Sequence, residues 1–156
     1  MSIERVRAFM RERNMEHKIQ EFEVSSATVE LAAQAVGVEP ARIAKTLSFM
    51  VDGHAILIVA AGDAKVDNAR FKVQFHTKAK MLTAEEAVEL IGHAVGGVCP
   101  FAGNEGVEIY LDESLKRFET VFPAAGSSNS AIELTMDELE SLSGGTWVDV
   151  CKAWQG

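Results

Sequence analysis

Hydrophobic positions along the chain follow two periods, and the switches between them mark out a mixed set of helices and strands. Ile3, Val6, Phe9 and Met10 recur at helical spacing with arginines between them, which predicts an amphipathic helix ending near Asn14. Apolar positions over Lys18–Val24 predict a short strand. Thr28 reads as an N-cap for a helix that turns Val29, Ala32, Ala33 and Val36 inward and is closed by Gly37. Pro40 opens a short helical turn through Ala44. The clearest strand follows, with Leu47, Phe49 and Val51 alternating with Thr46, Ser48 and Met50. Asp52-Gly53 then predicts a tight turn into the apolar run Ala55–Ala61, a strand buried on both faces.

In the second half, Asp67 starts a helix through Phe75, and Thr83 with Glu86 forms a capping box for a helix burying Ala87, Val88 and Ile91. Val107–Leu111 reads as a strand and Asp112–Phe118 as a helical turn. Two strands, Thr120–Ala124 and Ala131–Leu134, flank a Gly-Ser loop. Thr135 and Glu138 cap a last short helix, and Thr146–Val150 reads as a terminal strand. Helices and strands do not alternate strictly. The expectation is therefore an α+β fold, one domain over residues 1–156, with a mixed, curved, barrel-like sheet surrounded by helices.

Composition narrows the class. A chain of 156 residues, 47% hydrophobic and 24% charged, can bury a full core without metal or disulfide staples. No apolar run approaches the ~20 residues of a membrane span, and the N-terminus lacks a signal-peptide pattern. Cys99 and Cys151 are too few and too far apart for a disulfide framework or a zinc pattern. These features point to a cytoplasmic protein with no membrane partner. The net charge of −8 argues against a polyanionic partner. Its distribution argues the other way. Residues 41–80 carry seven basic residues (Arg42, Lys45, Lys65, Arg70, Lys72, Lys78 and Lys80) against three acids, whereas residues 81–140 carry two against twelve. A basic patch on an acidic body and a set of solvated helix faces both fit that asymmetry.

Familiar catalytic signatures are absent: there is no Walker loop, nucleophile elbow or dinucleotide fingerprint. The histidines are scattered without ligand spacing, so neither a metal nor another cofactor is expected. The segment Gly92–Phe101 stands out, with Gly92, Gly96, Gly97 and Pro100 too many breakers for a helix or strand interior, yet with Val95, Val98 and Phe101 too apolar for an ordinary loop. A bare, rigid, partly buried backbone usually has something lying against it. Cys99 within it has no base nearby in sequence and reads as a small buried thiol. His93 reads as a surface or supporting residue, with a general-base role less favoured. Lys45 either brings its ammonium to a phosphate or carboxylate, or snorkels to solvent.

Four motifs in order carry a family resemblance: Ala44-Lys45-Thr46-Leu47, the G-x-x-x-P run Gly96–Pro100 followed by Phe101, Ile109–Leu115, and Ala125-Gly126-Ser127-Ser128-Asn129 before a strand. Together they resemble the YbaK and prolyl-tRNA-synthetase insertion-domain family of aminoacyl-tRNA editing proteins, over nearly the whole chain, as a free-standing member. The resemblance implies that Lys45 engages the phosphate or ribose of the terminal adenosine. It implies catalysis by positioning, with Gly96, Gly97 and Pro100 presenting backbone groups to the ester and to water. Val98, Cys99 and Phe101, with His93, would line the pocket, and Gly126, Ser127, Ser128 and Asn129 would form its other wall. The partner would be the acceptor end of a mischarged tRNA, guided by Lys65, Arg70, Lys72, Lys78 and Lys80, with a synthetase as a further partner. The function implied is deacylation of a small amino acid, most plausibly from tRNA-Pro, and no metal is used. The alternatives are a non-catalytic aminoacyl-tRNA or nucleotide-binding module and a small-molecule ester or thioester hydrolase. The chain departs from the family pattern at Ala102-Gly103, where many members place glycine directly after the position of Phe101.

Overall fold

In the computed structural model, which describes residues 2–93 and 97–152, the most apolar strand lies inside the main sheet with partners on both sides. The elements run α1 (Ser2–Arg11), β1 (Ile19–Glu21), α2 (Val29–Val36), β2 (Ile43–Val51), β3 (His54–Ala61), β4 (Lys65–Val66), α3 (Asn68–Phe75) and α4 (Ala84–Glu86). They continue as β5 (Glu108–Asp112), β6 (Thr120–Pro123), β7 (Ser130–Ile132), β8 (Leu134–Thr135), α5 (Met136–Ser143), β9 (Thr146–Val148) and β10 (Cys151–Lys152). The main sheet has six strands in the order β8-β6-β2-β3-β5-β9, and β1-β7 and β4-β10 form two-stranded ribbons beside it. Parallel pairs (β2 with β6, β3 with β5, β5 with β9) mix with antiparallel ones (β2 with β3, β6 with β8). The result is a curled α+β half-barrel, as the sequence pattern predicts.

Local chemistry explains most boundaries. The β2–β3 hairpin runs from Ala44 opposite Ala61 to Val51 opposite His54. Its turn has φ 49 at Asp52 and 81 at Gly53, the left-handed pair that matches strand twist. Thr28 caps α2 through its side chain, and both predicted capping boxes are present, at Thr83 with Glu86 and at Thr135 with Glu138. The core beneath β2 and β3 holds a run of rings, Phe49, Phe71, Phe75 and Tyr110, with successive centroids 5.0, 4.7 and 4.9 Å apart.

Four boundaries differ from the sequence expectation. The Pro40 turn stops at Arg42, because Ile43 and Ala44 pair in parallel with Phe122 and Pro123 and so begin β2. The strand predicted over Lys18–Val24 shortens to the three residues that face β7. Ala131–Leu134 splits, its first part pairing with β1 and the part from Leu134 with β6. After the capping box at Thr83, the helix widens into a π turn over Ala87–Ile91, which buries Ala87 and Ile91 but leaves Val88 55% exposed. Among the described residues, no helix is long and apolar enough to cross a membrane.

The Ile109–Leu115 motif turns out to be a structural joint. Asp112 is fully buried, and its two carboxylate oxygens accept from Ser114 N–H and Val150 N–H, each at 2.9 Å. Ser114 Oγ in turn accepts from Ala61 N–H at 3.1 Å, at the end of β3. One side chain thus ties β5, the turn after it and the approach to β10. Asp112→Ala leaves two buried N–H groups unpaired and is expected to cost about 2–4 kcal/mol in a denaturant titration. A loss below about 1 kcal/mol would show that water replaces the carboxylate.

Candidate active site

The site begins with strand register. Lys45 is the third residue of β2 and lies opposite Ala60 of β3. It therefore sits inside the sheet, not ahead of it as the predicted helical turn implied. Its ammonium donates to the main-chain carbonyl of Ala64 and, at 3.5 Å, to that of Gly62, in the turn that follows β3. Burial lowers the lysine from its ordinary value. Gly62 is required there, since a Cβ would strike the Pro40 carbonyl and lie 2.7 Å from Val29 Cγ1.

Lys45 borders a cavity of about 440 Å³. Its wall combines β2 with the start of α2, the stretch Met81–Thr83, Val98, and Ala124, Ser130 and Ala131. Such a volume suits a small ligand or the end of a larger one. The lining is mainly apolar, with hydroxyls from Ser26, Thr28, Thr46, Ser48 and Ser130. Thr46 Oγ1 is buried and has no hydrogen-bond partner among the described residues.

The two loops singled out in the sequence meet. A Cβ at Gly97 would lie 2.8 Å from Gly126 C and from Ser127 N, so backbone rests on backbone there. The Ser127–Asn129 loop spends its polar groups on itself and on the segment after β1. Asn129 Nδ2 donates to Phe22 O at 2.9 Å, Ser128 O accepts from Ser26 N–H at 2.6 Å, and Ser127 Oγ lies 2.7 Å from Ser130 Oγ. Gly96 lies outside the described residues, as do Ala94 and Val95.

His93, Cys99, Pro100 and Phe101 are buried. Val98 alone of the described residues of the Gly92–Phe101 segment lines the cavity. The structure supplies a neighbour for Cys99 that sequence spacing hid, with His93 Nε2 3.7 Å from Cys99 Sγ. The pair is not a nucleophile and its base. Nε2 donates to the Phe101 carbonyl at 2.7 Å, so the nitrogen facing sulfur carries a proton. Burial also pushes the Cys99 thiol up to about 12 and keeps the His93 imidazole below its usual value. Lys65, Arg70, Lys72, Lys78 and Lys80 are all exposed, and Arg70 already meets Asp149 at 3.3 Å. Among the described residues, no three His, Cys, Asp or Glu side chains converge as a metal site requires.

Residues 23–142 match the model of the aminoacyl-tRNA editing domain. The chain belongs to this editing family. It is 55% identical over 157 residues to YwhH of Bacillus subtilis, an uncharacterized protein, covering 99% of this chain and 100% of that one. It is 25% identical over 125 residues to EbsC of Enterococcus faecalis, named as a candidate Cys-tRNA(Pro)/Cys-tRNA(Cys) deacylase, covering 79% of this chain and 76% of EbsC. A proline–tRNA ligase of Lysinibacillus sphaericus is 30% identical over 90 residues, which span 57% of this chain but only 16% of the ligase. Among solved structures, a candidate trans-editing enzyme for prolyl-tRNA synthetase superposes with a TM-score of 0.87 at 33% identity, covering 99% of this chain and 98% of the other.

The editing domain's departure at Ala102 has a physical reading. Ala102 has φ 52, the left-handed region that glycine occupies without strain. The position after Phe101 is therefore one where a glycine fits, and this chain carries a Cβ there instead. Ala102→Gly is expected to raise stability by about 1 kcal/mol, read as a higher unfolding midpoint. A lower midpoint would mean that the backbone at 102 is not held left-handed in solution.

Proposed function

We propose that this editing domain is a trans-editing deacylase that removes a mischarged small amino acid from tRNA, with tRNA-Pro as its substrate. The observation that carries the reading is the cavity of about 440 Å³, bordered by Lys45 and Val98 beside two loops packed backbone to backbone. Names borne by relatives support the choice of tRNA, since they include a proline–tRNA ligase and a candidate Cys-tRNA(Pro) deacylase. The place of action is the cytoplasm, where tRNA is charged.

In this reading the Lys45 ammonium engages the phosphate or ribose of the terminal adenosine, and the aminoacyl ester enters the cavity. Main-chain groups of the Gly96–Pro100 loop hold the ester and an attacking water. Water oxygen bonds to the ester carbonyl carbon, and the bond from that carbon to the ribose oxygen breaks. The ribose oxygen takes up a proton, and the free amino acid leaves. An aminoacyl ester is already activated, so positioning in a closed pocket supplies much of the acceleration. Backbone N–H donors would stabilise the developing oxyanion. Cys99 has no part as nucleophile, because its thiol stays protonated and buried. Size would set selectivity, since one methylene is worth about 1–3 kcal/mol in an apolar pocket.

The test is hydrolysis of a panel of mischarged tRNAs by the wild type, Lys45→Ala and Gly97→Ala. Lys45→Ala should lower kcat/KM about a hundredfold, in the range for losing one charged contact in a catalytic site. Gly97→Ala should lower it too, because its Cβ would push the two loops apart. Binding without turnover on every tRNA would make the domain a non-catalytic module. Turnover of simple esters without tRNA would make it a small-molecule hydrolase.

If Lys65, Arg70, Lys72, Lys78 and Lys80 guide the acceptor stem, turnover at low substrate is salt-dependent. It should fall about tenfold to a hundredfold between about 50 and 200 mM salt. Lys78→Glu with Lys80→Glu should flatten that slope. Salt-independent turnover would confine recognition to the terminal adenosine.

A further inference from the structure

The turn Gly62–Ala64 holds Lys45 by main-chain oxygens alone, although a carboxylate stands between those two residues. Carbonyl dipoles fix the position of an ammonium without neutralising it. Asp63 would neutralise it, and its charge is felt at Lys45 together with those of Lys65 on β4 and Glu30 on α2, while the Cys151 thiol on β10, pushed up to about 12 by burial, stays neutral. Yet among the described residues Lys45 is in ion-pair contact with no carboxylate. Asp63 is engaged elsewhere. Arg117, in the helical turn after β5, takes both of its oxygens in a planar fork, with Nη2 to Oδ1 at 2.6 Å and Nη1 to Oδ2 at 3.0 Å. The fork is itself anchored, because Arg117 Nε donates to Ser114 O at 2.9 Å and the guanidinium lies 4.8 Å from the centre of the Phe118 ring. The Arg117 side chain is only 15% exposed and that of Asp63 30%, so water screens the pair weakly.

We propose that Arg117 is a positioning residue that keeps the Asp63 carboxylate off the Lys45 ammonium, leaving that charge open to a phosphate of the bound nucleic acid. The role in catalysis rests on the deacylase reading; the charge arrangement does not. Removing the guanidinium frees a carboxylate on the very turn that cradles Lys45. The two opposite charges then pair, and the phosphate must compete for the lysine. A lysine in place of Arg117 would not restore the arrangement, because an ammonium cannot occupy both carboxylate oxygens in one plane.

Two measurements test this on the full chain. The first follows Lys45 by NMR after reductive methylation with labelled carbon, its signal assigned by Lys45→Arg. In Arg117→Gln the Lys45 titration should move up by about one pH unit, as a lysine gaining a carboxylate neighbour does. Arg117→Lys should move it the same way, by less. The double variant Arg117→Gln/Asp63→Asn has no carboxylate to offer and should return it to the wild-type position.

The second measurement is deacylation of mischarged tRNA. KM should rise about tenfold in Arg117→Gln with kcat little changed, and return in the double variant. The thermal midpoint should stay lowered in both, because the fork is lost in both, and this separates the charge effect from a structural one. An unmoved Lys45 titration in Arg117→Gln and Arg117→Lys overturns the proposal. So does a double variant as impaired as the single one. The titration needs no turnover. A protein that hydrolyses no mischarged tRNA but shows the expected titration pattern keeps the charge arrangement and loses the deacylase reading.

Discussion

The register of the β2–β3 hairpin is the constraint on which the site depends. Lys45 opposite Ala60 and Leu47 opposite Ile58 share one face, while Thr46 opposite Val59 and Ser48 opposite Leu57 share the other. A slip of one residue would exchange the faces, sending Lys45 away from the Gly62–Ala64 turn. The left-handed Asp52-Gly53 turn pins the register at one end, and at the other the first residues of β2, Ile43 and Ala44, are held in parallel pairing with Phe122 and Pro123.

Around that hairpin the molecule uses main chain where many enzymes use side chains. Lys45 is held by carbonyls, the two glycine-containing loops touch through backbone, and the Ser128 carbonyl takes the N–H of Ser26. Polar side chains with the strongest bonds serve the frame. Asp112 joins three segments, and Arg117 closes on Asp63. This division suits the deacylation proposed above, whose ester is reactive already, so that geometry matters more than an activated nucleophile.

Much of the frame was legible in the sequence because its determinants are local. Caps at Thr28, Thr83 and Thr135, the stop at Gly37 and the Asp52-Gly53 turn each depend on a few adjacent residues, and the structure has them in place. The family could be read from four motifs in order. What stayed hidden depends on pairing across the chain. β4 with β10, two residues each, has no periodicity to detect. The nearness of His93 to Cys99, the need for glycine at Gly62 and the spending of Asp63 on Arg117 all arise from contacts between separate segments. For the same reason, the wall formed by Met81–Thr83 and Ser26 carried no signal in the sequence, since only the fold brings it to β2.

The β4–β10 ribbon has a consequence in time. Lys65 and Val66 directly follow the turn that receives Lys45, and their partners Lys152 and Cys151 are among the last described residues. Pairing over so long a stretch of chain is a late event in folding, because its loop must close before the contact rewards it. As the polypeptide leaves the ribosome, the hairpin carrying Lys45 can form early, but the ribbon beside its cradle must wait for Cys151 and Lys152. The turn that cradles Lys45 is thus backed by its ribbon partner later than the hairpin itself can close.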